Sequence, residues 1–225
     1  MTRARSGVGS LAIAALTTVG LVLLAGCSGG LRSDGPAVQT YVLRAAVQPQ
    51  SDLAQSVASL RVSHPIAGPG LESDRIVLVE PGHRMSHYVG SRWPANLPSL
   101  VEALTVDTLR ASGAWSTVQD SNSAFPSEYL LQIVIRRFEA DYSVSPGTPE
   151  VHVVLDCTLG RRIGREVLVS FIADGSSTAA ANHLGDVVTA FEEASNKALD
   201  EIAVRSAQAI KTSQKVETPV PSITR

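Results

Sequence analysis

From Val151 to Leu159 every second residue is apolar: Val151, Val153, Leu155, Cys157 and Leu159 fall on one parity. A period of two sustained over that length describes a strand with one buried face. Upstream, Tyr129–Tyr142 carries a longer run. Leu131, Ile133 and Ile135 share one parity there, and beyond Arg136-Arg137 the large apolar residues Phe138 and Tyr142 share the other. A one-residue slip in a strand flips every side chain to the opposite face, so this change of parity predicts a β-bulge near Arg136. Downstream, Gly160–Gly164 reads as a basic hairpin turn and Glu166–Ala173 as the returning strand. Neighbouring strands joined by so tight a turn pair antiparallel.

The remaining elements are built around this sheet. Thr40–Val47, Ala58–Val62 and Arg75–Glu80 read as strands, separated by the Gly/Pro clusters at Pro65–Gly70 and Pro81-Gly82. A helix is predicted over Leu97–Ser112, with Asn96 as cap, Pro98 in the first turn and Gly113 as the stop. A second runs over Leu184–Ile210, where Leu184, Val187, Val188, Phe191, Ala194, Ala198 and Ile202 recur at helical spacing. Strands and helices do not alternate strictly. The expected class is therefore α+β, a mostly antiparallel sheet of about five to seven strands with two long helices packed on one face.

The amino-terminal segment stands apart from this pattern. Arg3 and Arg5 precede a charge-free, small-residue apolar stretch from Leu11 to Leu24. This is the order of a secretory signal peptide, and its apolar core is short for a membrane span. The stretch closes on Leu24-Ala25-Gly26-Cys27, which resembles the lipobox of bacterial lipoproteins. That resemblance implies cleavage before Cys27, lipid attachment at the Cys27 sulfur and acylation of the new amino terminus. Each buried methylene contributes about 0.8 kcal/mol, so two or three acyl chains hold a protein on a membrane. Ser28 rather than an aspartate follows Cys27; by the same resemblance this implies the outer membrane. The resulting division is 1–26 as a cleaved signal peptide, 27–37 as a lipidated tether, 38–211 as one domain facing the periplasm, and 212–225 as a flexible tail.

Composition excludes several functions. Charged residues are 18% of the 225, the formal net charge is −2 and aromatics are 4%. The chain is too apolar for disorder, and it lacks the basic stripe or stacking platform of a nucleic-acid binder. With two cysteines it is neither a disulfide framework nor a cysteine-rich zinc module. No nucleophile elbow, phosphate-binding glycine loop or metalloprotease helix occurs, so no catalytic residue, metal or cofactor is assigned. His64, His83 and His87 fall on segments read as loops, where a spacing of four does not align ligands. Cys157 sits on the apolar face of a strand, which makes it a buried small hydrophobe rather than a reactive thiol. Trp93, just ahead of the first helix, is expected to pack back on Leu97, Leu100 and Val101. The turn arginines Arg161, Arg162 and Arg165 are the candidate partner-binding residues, for an anionic protein or a phospholipid head group. Their plainer reading is a solvated hairpin tip.

Taken in order, these features resemble the ABC-type transport auxiliary lipoproteins, the family of the paraquat-inducible lipoprotein C and its YmbA-like relatives. The resemblance is carried by Cys27, by Tyr41-Val42-Leu43, by the Ile76–Val79 strand and by Arg92-Trp93-Pro94-Ala95-Asn96-Leu97. It continues in Leu131-Gln132-Ile133-Val134-Ile135-Arg136-Arg137-Phe138-Glu139-Ala140-Asp141 and Val187-Val188-Thr189-Ala190-Phe191. Family members have a longer stretch with a further strand before the tryptophan; only Pro81–Arg92 fills that place here. The resemblance implies a non-enzymatic component that docks an envelope lipid-transport system at the outer membrane. Its partners would be a mammalian-cell-entry-type (MCE) lipid-binding protein and an ABC permease system, and it leaves a homo-oligomer open. The alternative is a structural envelope lipoprotein that binds peptidoglycan or another envelope protein without transport.

Overall fold

The computed structural model describes residues 37–46, 58–144 and 147–217; Cys27 and the tether up to residue 36 lie outside them. In chain order the elements are β1 (Gln39–Thr40), β2 (Ser59–Val62), β3 (Ile66–Ala67), β4 (Arg75–Glu80), β5 (Arg84–Arg92), α1 (Leu97–Ala111), β6 (Thr117–Gln119), β7 (Tyr129–Asp141), β8 (Glu150–Arg161), β9 (Val167–Thr178) and α2 (Leu184–Glu217).

β7 is the axis of the sheet. One edge pairs antiparallel with β8 along its whole length, and β8 pairs antiparallel with β9. The register shifts between Ile135 and Arg137, which is the bulge the parity change predicts. Before it Leu131, Ile133 and Ile135 are buried; after it Phe138 and Ala140 are. Both sets face the same core because the extra residue absorbs the flip.

The other edge of β7 departs from expectation. Three short strands lie along it in succession, all parallel to it: Leu60–Val62 beside Tyr129–Leu131, Ile66-Ala67 beside Val134-Ile135, and Leu78-Val79 beside Ala140-Asp141. β6 continues outward from β2 and β5 from β4, and β1 flanks β5. The sheet has nine strands among the described residues and is mixed, where a mostly antiparallel one of five to seven strands was expected. The reason is length. Thirteen residues at about 3.3 Å each span about 43 Å, more than any of these short strands covers alone.

Two other expectations are corrected. Pro81–Arg92 is not a loop: Gly82 and His83 take positive φ (81° and 60°) and turn the chain into β5, which pairs back on β4. The expected strand Thr40–Val47 does not continue past Thr40 among its described residues, which end at Ala46. After Tyr41 donates its N–H to the Arg92 carbonyl (2.9 Å), the Arg44 and Ala46 N–H groups turn to Glu192 (2.9 Å) and Asn196 (2.8 Å) on α2. Helix side chains here satisfy donors that a sheet partner would otherwise take.

Both helices lie on one face. Asn96 caps α1 by accepting the Ser99 N–H at 2.9 Å. Val101 and Leu104 of α1 meet Phe138, Val153 and Leu155 of the sheet and Leu199 of α2 around one small void. α2 reaches the β9 backbone at Gly175, where an added Cβ would stand 2.1 Å from the Ala194 carbonyl oxygen. The helix runs on past residue 211 to Glu217. Trp93 is 1% exposed. Its ring meets Phe138 and Phe191 edge-on, at centroid separations of 6.1 and 5.3 Å. Its aromatic partners come from β7 and α2. The opposite sheet face carries exposed Gln132, Arg136, Ser170 and Ile172, with Arg136 paired to Asp156 at 2.7 Å.

Candidate functional site

The β8–β9 hairpin ends in the three arginines singled out by sequence. Gly160 permits the tight reversal, since a Cβ there would lie 2.7 Å from the Glu166 carbonyl oxygen. The Arg161 N–H closes the turn onto that carbonyl at 2.8 Å. Gly164 and Arg165 both adopt positive φ, 81° and 54°, a conformation glycine accepts freely and arginine does not.

The three side chains do different things. Arg161 is directed inward, donating to the Ser213 hydroxyl on α2 at 2.6 Å, with the Glu166 carboxylate 3.9 Å away. Arg162 anchors the tip through its backbone, whose N–H reaches the Glu128 carbonyl at 2.9 Å, while its guanidinium lies 3.4 Å from the Ser127 hydroxyl. Arg165 is exposed, and between the two stands Ile163, 89% exposed. The tip is thus an apolar side chain flanked by cations. Phe125, 74% exposed, belongs to the neighbouring loop that carries Ser127 and Glu128.

Two grooves flank this end. One, of about 430 Å³, opens on the uncovered sheet face beside Gln132, Thr158, Arg162 and Arg165. The other, of about 640 Å³, separates the first residues of β9 from the last turns of α2, with Arg161 and Arg205 in its walls. Arg205 lies 4.9 Å over the Phe171 ring and bonds Glu201 at 3.2 Å. Arg205 and Ile163 were not picked out from sequence. Arg205 carries no signal beyond its place on an amphipathic helix, and Ile163 breaks a polar turn that would otherwise need no apolar residue.

The other candidates do not converge. His64 bonds the Glu102 carboxylate at 2.8 Å, His83 is in the β4–β5 turn, and His87 is on β5 beside Arg75 at 3.5 Å. Among the described residues no three His, Cys, Asp or Glu side chains are grouped to hold a metal. Glu102 is buried on α1 and also accepts the Ser121 N–H at 2.7 Å. Burial alone would raise its carboxyl, but the Ser121 and His64 hydrogen bonds outweigh it and hold the group below the usual range. Cys157 is fully buried, and burial, reinforced by the charges of Asp156 and Glu201, pushes its thiol up to about 12. Cys27 lies outside the described residues.

The family model described as the ABC-type transport auxiliary lipoprotein component matches residues 41–203. The chain belongs to that family. No curated protein matches it significantly. Among solved structures, this auxiliary lipoprotein is similar to protein XCC0632 of Xanthomonas campestris, of the DUF330 family. The TM-score is 0.73 at 22% identity, over 79% of this chain and 99% of that one. It is also similar to the hypothetical protein CT253 of Chlamydia trachomatis, with a TM-score of 0.52 at 12% identity over 70% and 99% of the two chains. At these identities the likeness is one of fold. The described helices of the auxiliary lipoprotein include none long and apolar enough to cross a membrane.

Proposed function

We propose that this auxiliary lipoprotein is a non-enzymatic, lipid-anchored component of an ABC/MCE-type envelope lipid-transport system, docking that machinery at the outer membrane from the periplasmic side. The observation that carries the reading is the family match, which spans β2 to β9, all of α1 and more than half of α2. The Leu24–Cys27 lipobox supplies the anchor. The contact with an anionic partner lies at the hairpin tip. Arg161 is engaged by Ser213 and Glu166, so Arg162 and Arg165, with Ile163 between them, present themselves outward. A cation pair around an apolar side chain is a composition suited to an interface.

Two measurements test this. Copurification from solubilised membranes is expected to recover an MCE-type protein together with the ABC permease. Recovery of peptidoglycan or a lone envelope protein instead would replace transport with structural anchoring. In cells fed labelled fatty acid, Cys27→Ser is expected to abolish incorporation, and undiminished label would remove the anchor from the reading.

A further inference from the structure

The outer edge of β9 is treated differently along its two halves. Among the described residues β9 pairs with β8 alone. In its second half two of the backbone groups facing away from β8 are engaged by α2. The Asp174 N–H reaches the Glu201 carboxylate at 3.3 Å, and the Ser176 carbonyl accepts from the Lys197 ammonium at 2.7 Å. In an antiparallel strand every second residue turns both its N–H and its C=O to the same edge. The register of β9 is unbroken from Val169 to Thr178, so Ser170 and Ile172 face the same way as Asp174 and Ser176. Neither makes a backbone hydrogen bond on that side among the described residues. Both are exposed, Ile172 at 56%. Just below them the 640 Å³ groove separates β9 from α2. A bare strand edge is a template for another strand, and proteins that do not use such edges cover them with charge, proline or a helix. Here α2 protects one half and withdraws from the other.

We infer that the first half of β9 and the groove beside it bind an extended, acidic peptide segment of a partner protein, which adds as a further strand. The unpaired N–H and C=O groups of Ser170 and Ile172 supply main-chain recognition, as in other cases of strand addition. Arg205 in the groove wall, with Arg162 and Arg165 at the tip beyond, supplies the charge preference. Among the described residues Glu166 is the one carboxylate lining that groove. Side chains of an added strand alternate faces, so acids at every second position all face the helix side, where Arg205 lies over Phe171. This inference does not depend on the transport reading.

The full-length protein in detergent is titrated into two fluorescein-labelled peptides, one alternating valine with glutamate and one alternating valine with lysine. Fluorescence anisotropy is expected to show at least tenfold tighter binding of the glutamate peptide. Ser170→Pro removes an outward N–H and the hydroxyl contact to Thr158 (3.1 Å) but no backbone bond of the β8 ladder, at a position where an edge strand tolerates proline. It is expected to weaken binding at least tenfold with an unchanged circular dichroism spectrum. Should that variant unfold, Arg205→Glu serves in its place and is expected to erase the preference between peptides. Binding of neither peptide, equal binding of both, or undiminished binding by the folded variants would overturn the proposal. So would sedimentation showing a dimer of the wild type that Ser170→Pro abolishes, since the edge would then belong to a second copy.

Discussion

Replacing Trp93 with alanine tests whether the three-ring cluster holds the two helices to the sheet. Trp93 precedes α1, Phe138 follows the bulge in β7, and Phe191 belongs to α2; Phe138 and Phe191 stack at 5.2 Å. All three are at most 2% exposed. Truncating a buried tryptophan costs about 3–5 kcal/mol. Two edge-to-face pairs go with it, at about 0.5–1.5 kcal/mol each beyond the buried area, so the loss belongs near 5 kcal/mol, at the upper end of that range. The void is slow to collapse because its walls are three different elements. Against a domain stability of about 5–15 kcal/mol this is a large share. With a urea slope of about 2 kcal/mol per molar the midpoint falls by about 2.5 M. Trp115, buried at 6% exposure, remains as the fluorescent reporter. Trp93→Phe, which keeps a ring against both neighbours, is expected to recover more than half of the loss. A drop below about 1.5 kcal/mol for Trp93→Ala, the cost of a volume-conserving core swap, would refute the cluster as an organising contact.

Cys157 is expected to resist a bulky maleimide at pH 8 in the native protein and to react at once in urea, and Cys157→Ala costs about 1 kcal/mol by thermal or urea denaturation. Glu102 has a folded-state pKa held below its unfolded one, so its contribution is present above the unfolded value, about 4.3, and is lost as pH falls through the lower folded value. The urea midpoint of the wild type should therefore fall more steeply from pH 5 to pH 3 than that of Glu102→Gln; parallel curves would contradict the assignment. Gly175→Ala drives a methyl into the Ala194 carbonyl and is expected to cost about 3 kcal/mol, read by the same denaturation.

The parts legible in the sequence are those in which side chains report the backbone. β7, β8 and the bulge between Ile135 and Arg137 announce themselves because alternating burial is written into Leu131–Ala140 and Val151–Leu159. Both helices do so through their period, and α1 through its cap at Asn96 as well. The parallel strands β2, β3 and β4 could not be matched to β7, since Ile66-Ala67 has no period to read and pairing is made by backbone groups common to every sequence. β5 hides because much of it is exposed, from Arg84 and Met85 to Val89 and Gly90, so no apolar alternation marks it. The arginines of the hairpin tip could be located from their turn. Their division of labour could not, because Ser213 and Arg205 reach the site from a helix far along the chain.

The arrangement of β7 also fixes an order of events. β2, β3 and β4 precede it in the chain, and apart from the β2–β6 and β4–β5 pairings each takes its place in the sheet along its edge. A polypeptide emerging amino end first therefore has only the β4–β5 hairpin, α1 and the short β2–β6 pair to make until residue 141 is free. The β7–β8–β9 meander needs only near neighbours and forms first, and non-local parallel pairings follow at their higher entropic cost. The amino-terminal half waits, uncommitted, for a strand it does not contain, a useful property in any chain that must be threaded across a membrane before it folds.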